Sequence, residues 1–391
     1  MSLHINKENV YEPQEDTFIL LAILKKELKN KKELKVCEVG VGSGEIIFQL
    51  ERIFSTNKYY GSDINKDAIE INKKKLSKAI IFEGSLLEPF EEKFHIIYFN
   101  TPYLPCEDGE DYKSLSILDK AIYGGKQGYE VIEKFILEIN DKLDNQGEVF
   151  MLFSSLSKRD YIEHLLGVLF FEFECVARKK LSFEELYVYK IKKTQILKEL
   201  SSKGIKEIKY LDSGKHSKVL EGNYNGNKAI IKIGKEQHLS KESLFMKKLK
   251  GEEFLPEFYF DGNGFIVREK LEGQQIRYWL ENATRNEIVI VLNKIFNFCF
   301  RLDELGINKF EMTNPYKHIF IDKNLNCKMI DYERCIFTED PKNTTQFLQY
   351  IMRNIEFFKN RKLSFSRDKI LSTGRKYKKN REKVRIDSLL K

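Results

Sequence analysis

Glu38-Val39-Gly40-Val41-Gly42-Ser43-Gly44 decides the fold of the first half of this chain. The segment follows an apolar run at 34–39 and opens a stretch of helical period at 46–53. Glycines at alternate positions let the backbone turn tightly and approach a ligand closely, and the helix N-terminus beyond favours negative charge. Asp63 ends the next strand-like run, 19 residues after Gly44. A carboxylate at that place can accept both hydroxyls of a ribose. A nucleotide-like ligand follows from these two features, and a nicotinamide or flavin fits them as well as any other.

Working outward, 34–39, 59–63, 80–82, 95–99 and 148–153 read as buried strands. The stretches 18–28, 46–53, 68–76 and 129–143 read as helices between or before them. Such alternation implies a parallel sheet covered on both faces, an α/β doubly wound, Rossmann-like fold over residues 1–193. Two later runs, 170–177 and 186–191, can pair as an antiparallel edge. Residues 193–203 are polar and lysine-rich, and 194–204 read as a linker. From 205 to 391 short strands come first and helices later, with Thr284 and Glu287 as a capping box opening a long apolar helix that stops at Gly306. That order suggests an α+β, two-lobed domain.

The fourth strand runs into Asn100-Thr101-Pro102-Tyr103, at the carboxyl edge of the sheet where ligands of such folds sit. An amide or aryl-amine nitrogen is a poor nucleophile because its lone pair is delocalised. Two acceptors on its N–H groups, the Asn100 side-chain oxygen and the backbone carbonyl of Thr101, can hold it in line with an electrophilic methyl group. Pro102 restrains the turn and Tyr103 offers a stacking face. The loop resembles the N-P-P-Y loop of methyltransferases acting on planar nitrogens, with Thr101 in place of the first proline.

Tyr11-Glu12-Pro13-Gln14-Glu15-Asp16-Thr17-Phe18 resembles the opening of the eukaryotic and archaeal branch of the HemK family, and Gly124-Gly125-Lys126-Gln127-Gly128 resembles that family's glycine segment after the catalytic loop. The resemblance spans about residues 8–192. It implies a class I methyltransferase using S-adenosylmethionine, held by Thr17, Glu38, Gly40, Gly42, Gly44, Asp63 and the backbone near Ser85 and Leu86. Ser85 stands where the family has an aspartate. The implied acceptor is the glutamine of the Gly-Gly-Gln tip of a class I translation release factor, and a small zinc-containing activator protein is the implied partner. The same loop chemistry also serves adenine amino groups in RNA or DNA, with the base flipped into the pocket.

In the second half, Lys232 lies in an apolar strand, and Glu242 lies ten residues on in a helix. Leu302–Met312 resembles a kinase helix and catalytic loop, with Glu311 where an aspartate is usual and Lys309 and Phe310 where His and Arg stand. Asp331-Tyr332-Glu333 is similar to the metal-binding Asp-Phe-Gly element. Together they resemble the small archaeal protein kinases related to the RIO kinases. The resemblance implies ATP bound by Lys232 and Glu242, acid–base work by Glu311, and magnesium on Asp331 and His318. With these elements inactive, the half would instead be a pseudokinase scaffold.

The net charge of +8 is concentrated in residues 356–391, which hold 13 Lys/Arg against 4 Asp/Glu. A basic segment can contact RNA or the ribosome through phosphates, or can be the solvated face of a helix that closes the second domain. The six scattered cysteines form no C-x-x-C pair, which points to reduced thiols in the cytoplasm. No apolar run reaches the roughly 18 residues of a membrane span, and the first ten residues lack a signal-peptide pattern.

Overall fold

In the computed structural model, residues 10–107, 111–214 and 216–391 are described. The chain divides into two compact units. One comprises residues up to Leu211 together with Leu220–Gly226, and the other Asp212–Val219 together with Asn227–Lys391.

The first unit opens with helix α1 (Glu15–Leu28), in which Gln14 and Thr17 form a reciprocal cap and Leu20, Leu21, Leu24 and Leu28 make a buried stripe at helical spacing. Strand β1 (Lys35–Val39), helix α2 (Glu45–Ile53), β2 (Lys58–Asp63), α3 (Lys66–Lys75), β3 (Ile80–Glu83) and β4 (Phe94–Asn100) follow. Two short strands, β5 (Leu104–Pro105) and β6 (Tyr123–Gly125), come next. Helix α4 (Glu130–Lys142), β7 (Leu143–Ser154), α5 (Arg159–Val168), β8 (Phe171–Lys180), β9 (Glu185–Lys193) and α6 (Gln195–Ser202) complete the unit's helices and main sheet.

The seven long strands form one sheet in the order β3-β2-β1-β4-β7-β9-β8. The β1–β2, β2–β3, β1–β4 and β4–β7 pairs are parallel, while β9 pairs antiparallel with both β7 and β8. This is the class I, Rossmann-like order with a reversed last strand. The order reverses beside β1, which places the ligand crevice outside the carboxyl ends of β1, β2 and β4. The interior strands are buried on both faces, with Val36, Cys37, Ile97, Tyr98, Phe150 and Leu152 shut from solvent.

Within residues 194–204, expected as a linker, Gln195–Ser202 form helix α6. The Thr194 side chain caps its N-terminus and Leu197 and Leu200 are buried, which gives the segment one apolar face among its lysines.

The second unit has an antiparallel sheet in which strands Asn227–Gly234 and Phe258–Gly262 flank Phe265–Glu269. Its helices gather around Arg285–Glu304, which is opened by the expected Thr284–Glu287 capping box. Phe358, Phe365, Ile370, Tyr377, Ile386 and Leu389 of the basic segment belong to the same core. The Tyr377 hydroxyl donates to the buried Asp303 at 2.6 Å, and Asp303 also accepts from the backbone N–H groups of Asn343 and Thr344. The basic segment is thus an integral layer of the unit, with Lys376, Lys378 and Lys379 facing solvent. Among the described residues no helix is long and apolar enough to cross a membrane.

Candidate active site

A cavity of about 390 Å³ lies at the carboxyl edge of the first unit's sheet. Of the residues picked out in the sequence, Thr17, Glu38, Gly40, Gly42, Asp63, Ser85, Leu86, Asn100, Thr101, Pro102 and Tyr103 line it. Gly44 does not. It caps α2 with φ +69°, and a Cβ there would meet Asn72 Oδ1 at 1.7 Å, so its place is set by the Asn72 side chain packed on the loop.

The two acidic residues face the cavity from adjacent strand ends. Asp63 accepts from the Gly42 N–H at 2.8 Å and the Asn65 N–H at 2.8 Å, which fixes its carboxylate beside the glycine loop. Burial raises its pKa, and these backbone donors oppose the rise. Glu38 is 5% exposed and accepts from the Tyr98 hydroxyl at 3.2 Å. Burial lifts its pKa well above the usual carboxylate range despite that hydroxyl.

The Asn100 loop is fixed from three sides. The Thr101 hydroxyl and N–H both bond the Leu152 carbonyl of β7, at 2.8 and 3.2 Å, so threonine tethers the turn by hydrogen bonds where proline would do so through its ring. Ser157 donates to the Tyr103 carbonyl at 2.8 Å. Gly124 and Gly128 press on the loop's backbone, and a Cβ on either would lie 2.2 Å from the Pro102 carbonyl or 2.6 Å from that of Tyr103. That contact gives the Gly-Gly-x-x-Gly spacing a packing reason. Asn100 Nδ2 donates to Asp16 at 3.1 Å, while its Oδ1 is buried with no partner.

Tyr11, Asp16, Tyr112, Ile117 and Lys134 also line the cavity and were not assigned roles from the sequence. Tyr11 and Asp16 had a visible signal, lying with Thr17 in the quoted opening. Tyr112, Ile117 and Lys134 sit in segments whose distance in sequence hides their convergence.

In the second unit, Lys232 Nζ lies 2.8 Å from Glu242, 3.1 Å from Asp331 and 3.3 Å from Glu333. Burial alone would lower the lysine's pKa, but the surrounding carboxylates raise it. Asp331 has φ +62°, and its second oxygen is 3.2 Å from His318 Nδ1. Burial would raise its carboxyl, but His318 and Lys232 hold it well below the usual range. Glu311 is nearly buried, 3.3 Å from Lys309 and 3.8 Å from Arg334. Lys309 is itself fully buried and donates to the Ile330 and Asp331 carbonyls. Among the described residues, no three His, Cys, Asp or Glu side chains converge as a metal site.

No family model matches the chain. A Methanocaldococcus jannaschii protein with a provisional protein N5-glutamine methyltransferase name is 40% identical over 183 residues, covering 46% of this chain and 89% of that relative. The catalytic subunit of an eRF1 methyltransferase from Schizosaccharomyces pombe is 29% identical over 181 residues, covering 41% of this chain and 78% of the relative. The human methyltransferase HEMK2 is 32% identical over 158 residues, covering 37% and 71%. Among solved structures, an E. cuniculi Mtq2–Trm112 complex is 24% identical, with 48% of this chain and 99% of that chain covered and a TM-score of 0.39.

Proposed function

Because the chain belongs, through its N-terminal unit, to the protein N5-glutamine methyltransferase family, we propose that it methylates the side-chain amide of a glutamine at the Gly-Gly-Gln tip of a class I release factor. The observation that carries the reading is Asn100: a residue lining the cavity whose side-chain NH₂ is engaged by Asp16 and whose buried side-chain oxygen has no partner among the described residues. A primary amide has N–H groups to offer such an acceptor, and a buried orphan oxygen costs stability until one arrives.

S-adenosylmethionine would supply the electrophilic methyl. Asp63 is placed for ribose hydroxyls, Glu38 for the cationic amino-acid end, and the backbone of Gly40 and Gly42 for close approach. Gly44 supports the loop from behind. Asn100 Oδ1 and the Thr101 carbonyl would take the two N–H groups of the acceptor amide, and Tyr103 would bound the slot laterally. Held so, the nitrogen lone pair would turn out of conjugation toward the methyl group; the N–C bond would form as the S–C bond breaks and leaves the neutral thioether, and the amide proton would then pass to water. The gain is positioning and electrostatic complementarity.

Incubation of the chain with tritiated S-adenosylmethionine and a purified class I release factor tests the assignment. Label on the release-factor glutamine, abolished by Asn100→Ala, is the expected result. Label on RNA or DNA adenine with none on the release factor overturns it and favours the amino-methyltransferase alternative. Charge reversal at Lys376, Lys378 and Lys379 then asks whether the basic segment holds the nucleic acid. Since one relative is named as a catalytic subunit, a small zinc-containing activator protein is a proposed partner, tested by co-purification. We place the activity in the cytoplasm, where its six cysteines stay reduced.

For the second unit we infer a protein-kinase-like nucleotide module. The Lys232–Glu242 pair beside Asp331 supports it, and the unusual Glu311 is the acid–base candidate. Magnesium prefers oxygen donors, so Asp331 and the nucleotide phosphates would hold it, with His318 orienting Asp331 instead of binding the ion. ATP with magnesium should raise the Tm of the wild type but not of Lys232→Met. No shift with any nucleotide favours the pseudokinase scaffold.

A further inference from the structure

The side chain of Asn100 has two chemically opposite ends, and only one suits an acceptor amide. Presenting Oδ1 accepts the substrate N–H. Presenting Nδ2 would set donor against donor. The two orientations occupy the same space, so packing alone does not choose between them. In this structure the choice is made by a carboxylate 84 residues earlier in the chain. Asp16 is 4% exposed, and its Oδ2 accepts from Asn100 Nδ2 at 3.1 Å.

The carboxylate is itself held. Its Oδ1 accepts from the Thr17 N–H at 2.6 Å and from the Thr17 hydroxyl at 3.2 Å. Its Oδ2 accepts also from the Tyr11 hydroxyl at 3.3 Å. It lies in the first turn of α1, whose free N–H groups favour a negative charge there. An ionised carboxylate has no donor, so a rotated Asn100 would place Oδ1 against another acceptor.

We propose that Asp16 is a positioning residue for methyl transfer, locking the Asn100 amide with its oxygen toward the acceptor nitrogen. This rests on the glutamine-amide reading above, and it assigns Asp16 no contact with the reacting atoms.

The lock has an unusual signature. Asp16→Asn keeps the shape. Its oxygen would still serve the Thr17 N–H, which leaves an NH₂ facing Asn100 Nδ2. Asn100 is then driven to rotate and to present its own NH₂ to the substrate. Asp16→Ala removes the constraint without reversing it, and leaves the productive orientation still populated. The isosteric variant should therefore be the worse enzyme. Loss of one preorganised partner costs about 10²–10³-fold in kcat, so a fall of about 10²-fold is expected for Asp16→Asn and of less than about tenfold for Asp16→Ala. The dissociation constant for S-adenosylmethionine should stay within about threefold in both. The exchange variant, Asp16→Asn with Asn100→Asp, restores a donor–acceptor pair and returns an oxygen to the acceptor side, so it should recover activity over Asp16→Asn alone.

The experiment measures kcat and KM of the full chain and these three variants on a purified class I release factor. In parallel, it follows the Asn100 side-chain NH₂ resonances in a ¹⁵N-labelled sample, assigned through their absence in Asn100→Ala. In the wild type one Nδ2 proton should be shifted downfield by the carboxylate and protected from exchange, and Asp16→Asn should abolish both effects. If Asp16→Asn is milder than Asp16→Ala, as simple space-filling requires, or if the NH₂ resonances do not respond, the lock is overturned. A wild type that leaves the release factor unlabelled while the resonances behave as stated overturns the acceptor assignment and supports the lock.

Discussion

Gly124→Ala offers a sharp test of how the loop is held. Gly124 is not in the left-handed region, so a methyl group there meets no backbone strain of its own. It meets the Pro102 carbonyl at 2.2 Å and the Gly128 carbonyl at 2.3 Å, where real contacts essentially never fall below 3.0 Å. Both neighbours are backbone, so no flexible side chain can swing aside, and relief requires roughly 1 Å of movement. Two residues before the Pro102 carbonyl is Asn100. A misplacement of about 1 Å costs on the order of 10²-fold in rate. Overpacking of this kind costs about 1–3 kcal/mol, which for a unit of this size lowers Tm by about 2–12 °C. The cofactor side of the cavity is built from β1, β2 and α1 and is not touched. Expected, then, is a kcat lower by about 10²-fold, a modest fall in Tm, and cofactor affinity within about threefold, read from single-turnover methyl transfer, calorimetry and titration. A variant with wild-type kcat and Tm would show that the loop is not braced by this contact.

Three further outcomes are expected. Glu38 holds its proton in the folded chain to a higher pH than in the unfolded one, so its contribution is full below about pH 4.3 and is lost as pH rises through its raised value. The Tm advantage of ligand-free Glu38→Gln over wild type should widen with pH, and a constant gap refutes the cause. Lys193, 1% exposed and donating to Ser201, has its pKa lowered to about 7 by burial and then by Lys93. The unfolded chain binds more protons between about pH 7 and 10.4, so stability rises through that window, and the gain from Lys193→Met should be greatest below pH 7 and shrink toward pH 10. Tyr377→Phe removes one donor from the buried Asp303 carboxylate. A cost of about 1.5–3 kcal/mol in urea unfolding of the second unit is expected, and a value near zero would show the remaining donors suffice.

Much of the first unit was legible in the sequence because its signals are local. The glycine loop, Asp63 and the Asn100 loop each announce themselves within a few residues, and the buried runs at 34–39 and 95–99 match β1 and β4 closely. Edge and surface elements were harder. The strand expected at 170–177 extends to Lys180, because charged residues on its exposed positions hide the alternation. Helix α6 was masked by its mostly polar residues, and its two buried leucines are too few to make a periodic signal. The Asp16–Asn100 bond was beyond reach for a different reason: it joins 16 to 100, and nothing in either segment names the other. In the second unit Lys232, Glu242 and Asp331 were selected by spacing and do converge, whereas the third carboxylate on the lysine, Glu333, stands where a glycine is usual and gave no cue.

The burial of 358–389 in the second unit's core bears on the order in which the chain matures. Every residue of the first unit has emerged from the ribosome once 226 is out, but the second cannot close until Leu389 follows. That interval is about 160 residues, or roughly 8–30 s at ordinary synthesis rates of about 5–20 residues per second. Over its last 85 or so residues, roughly 4–17 s, the apolar face of Arg285–Glu304 has emerged but lacks its covering layer. The methyltransferase unit therefore matures first, and the nascent second unit is the segment that calls for chaperone protection.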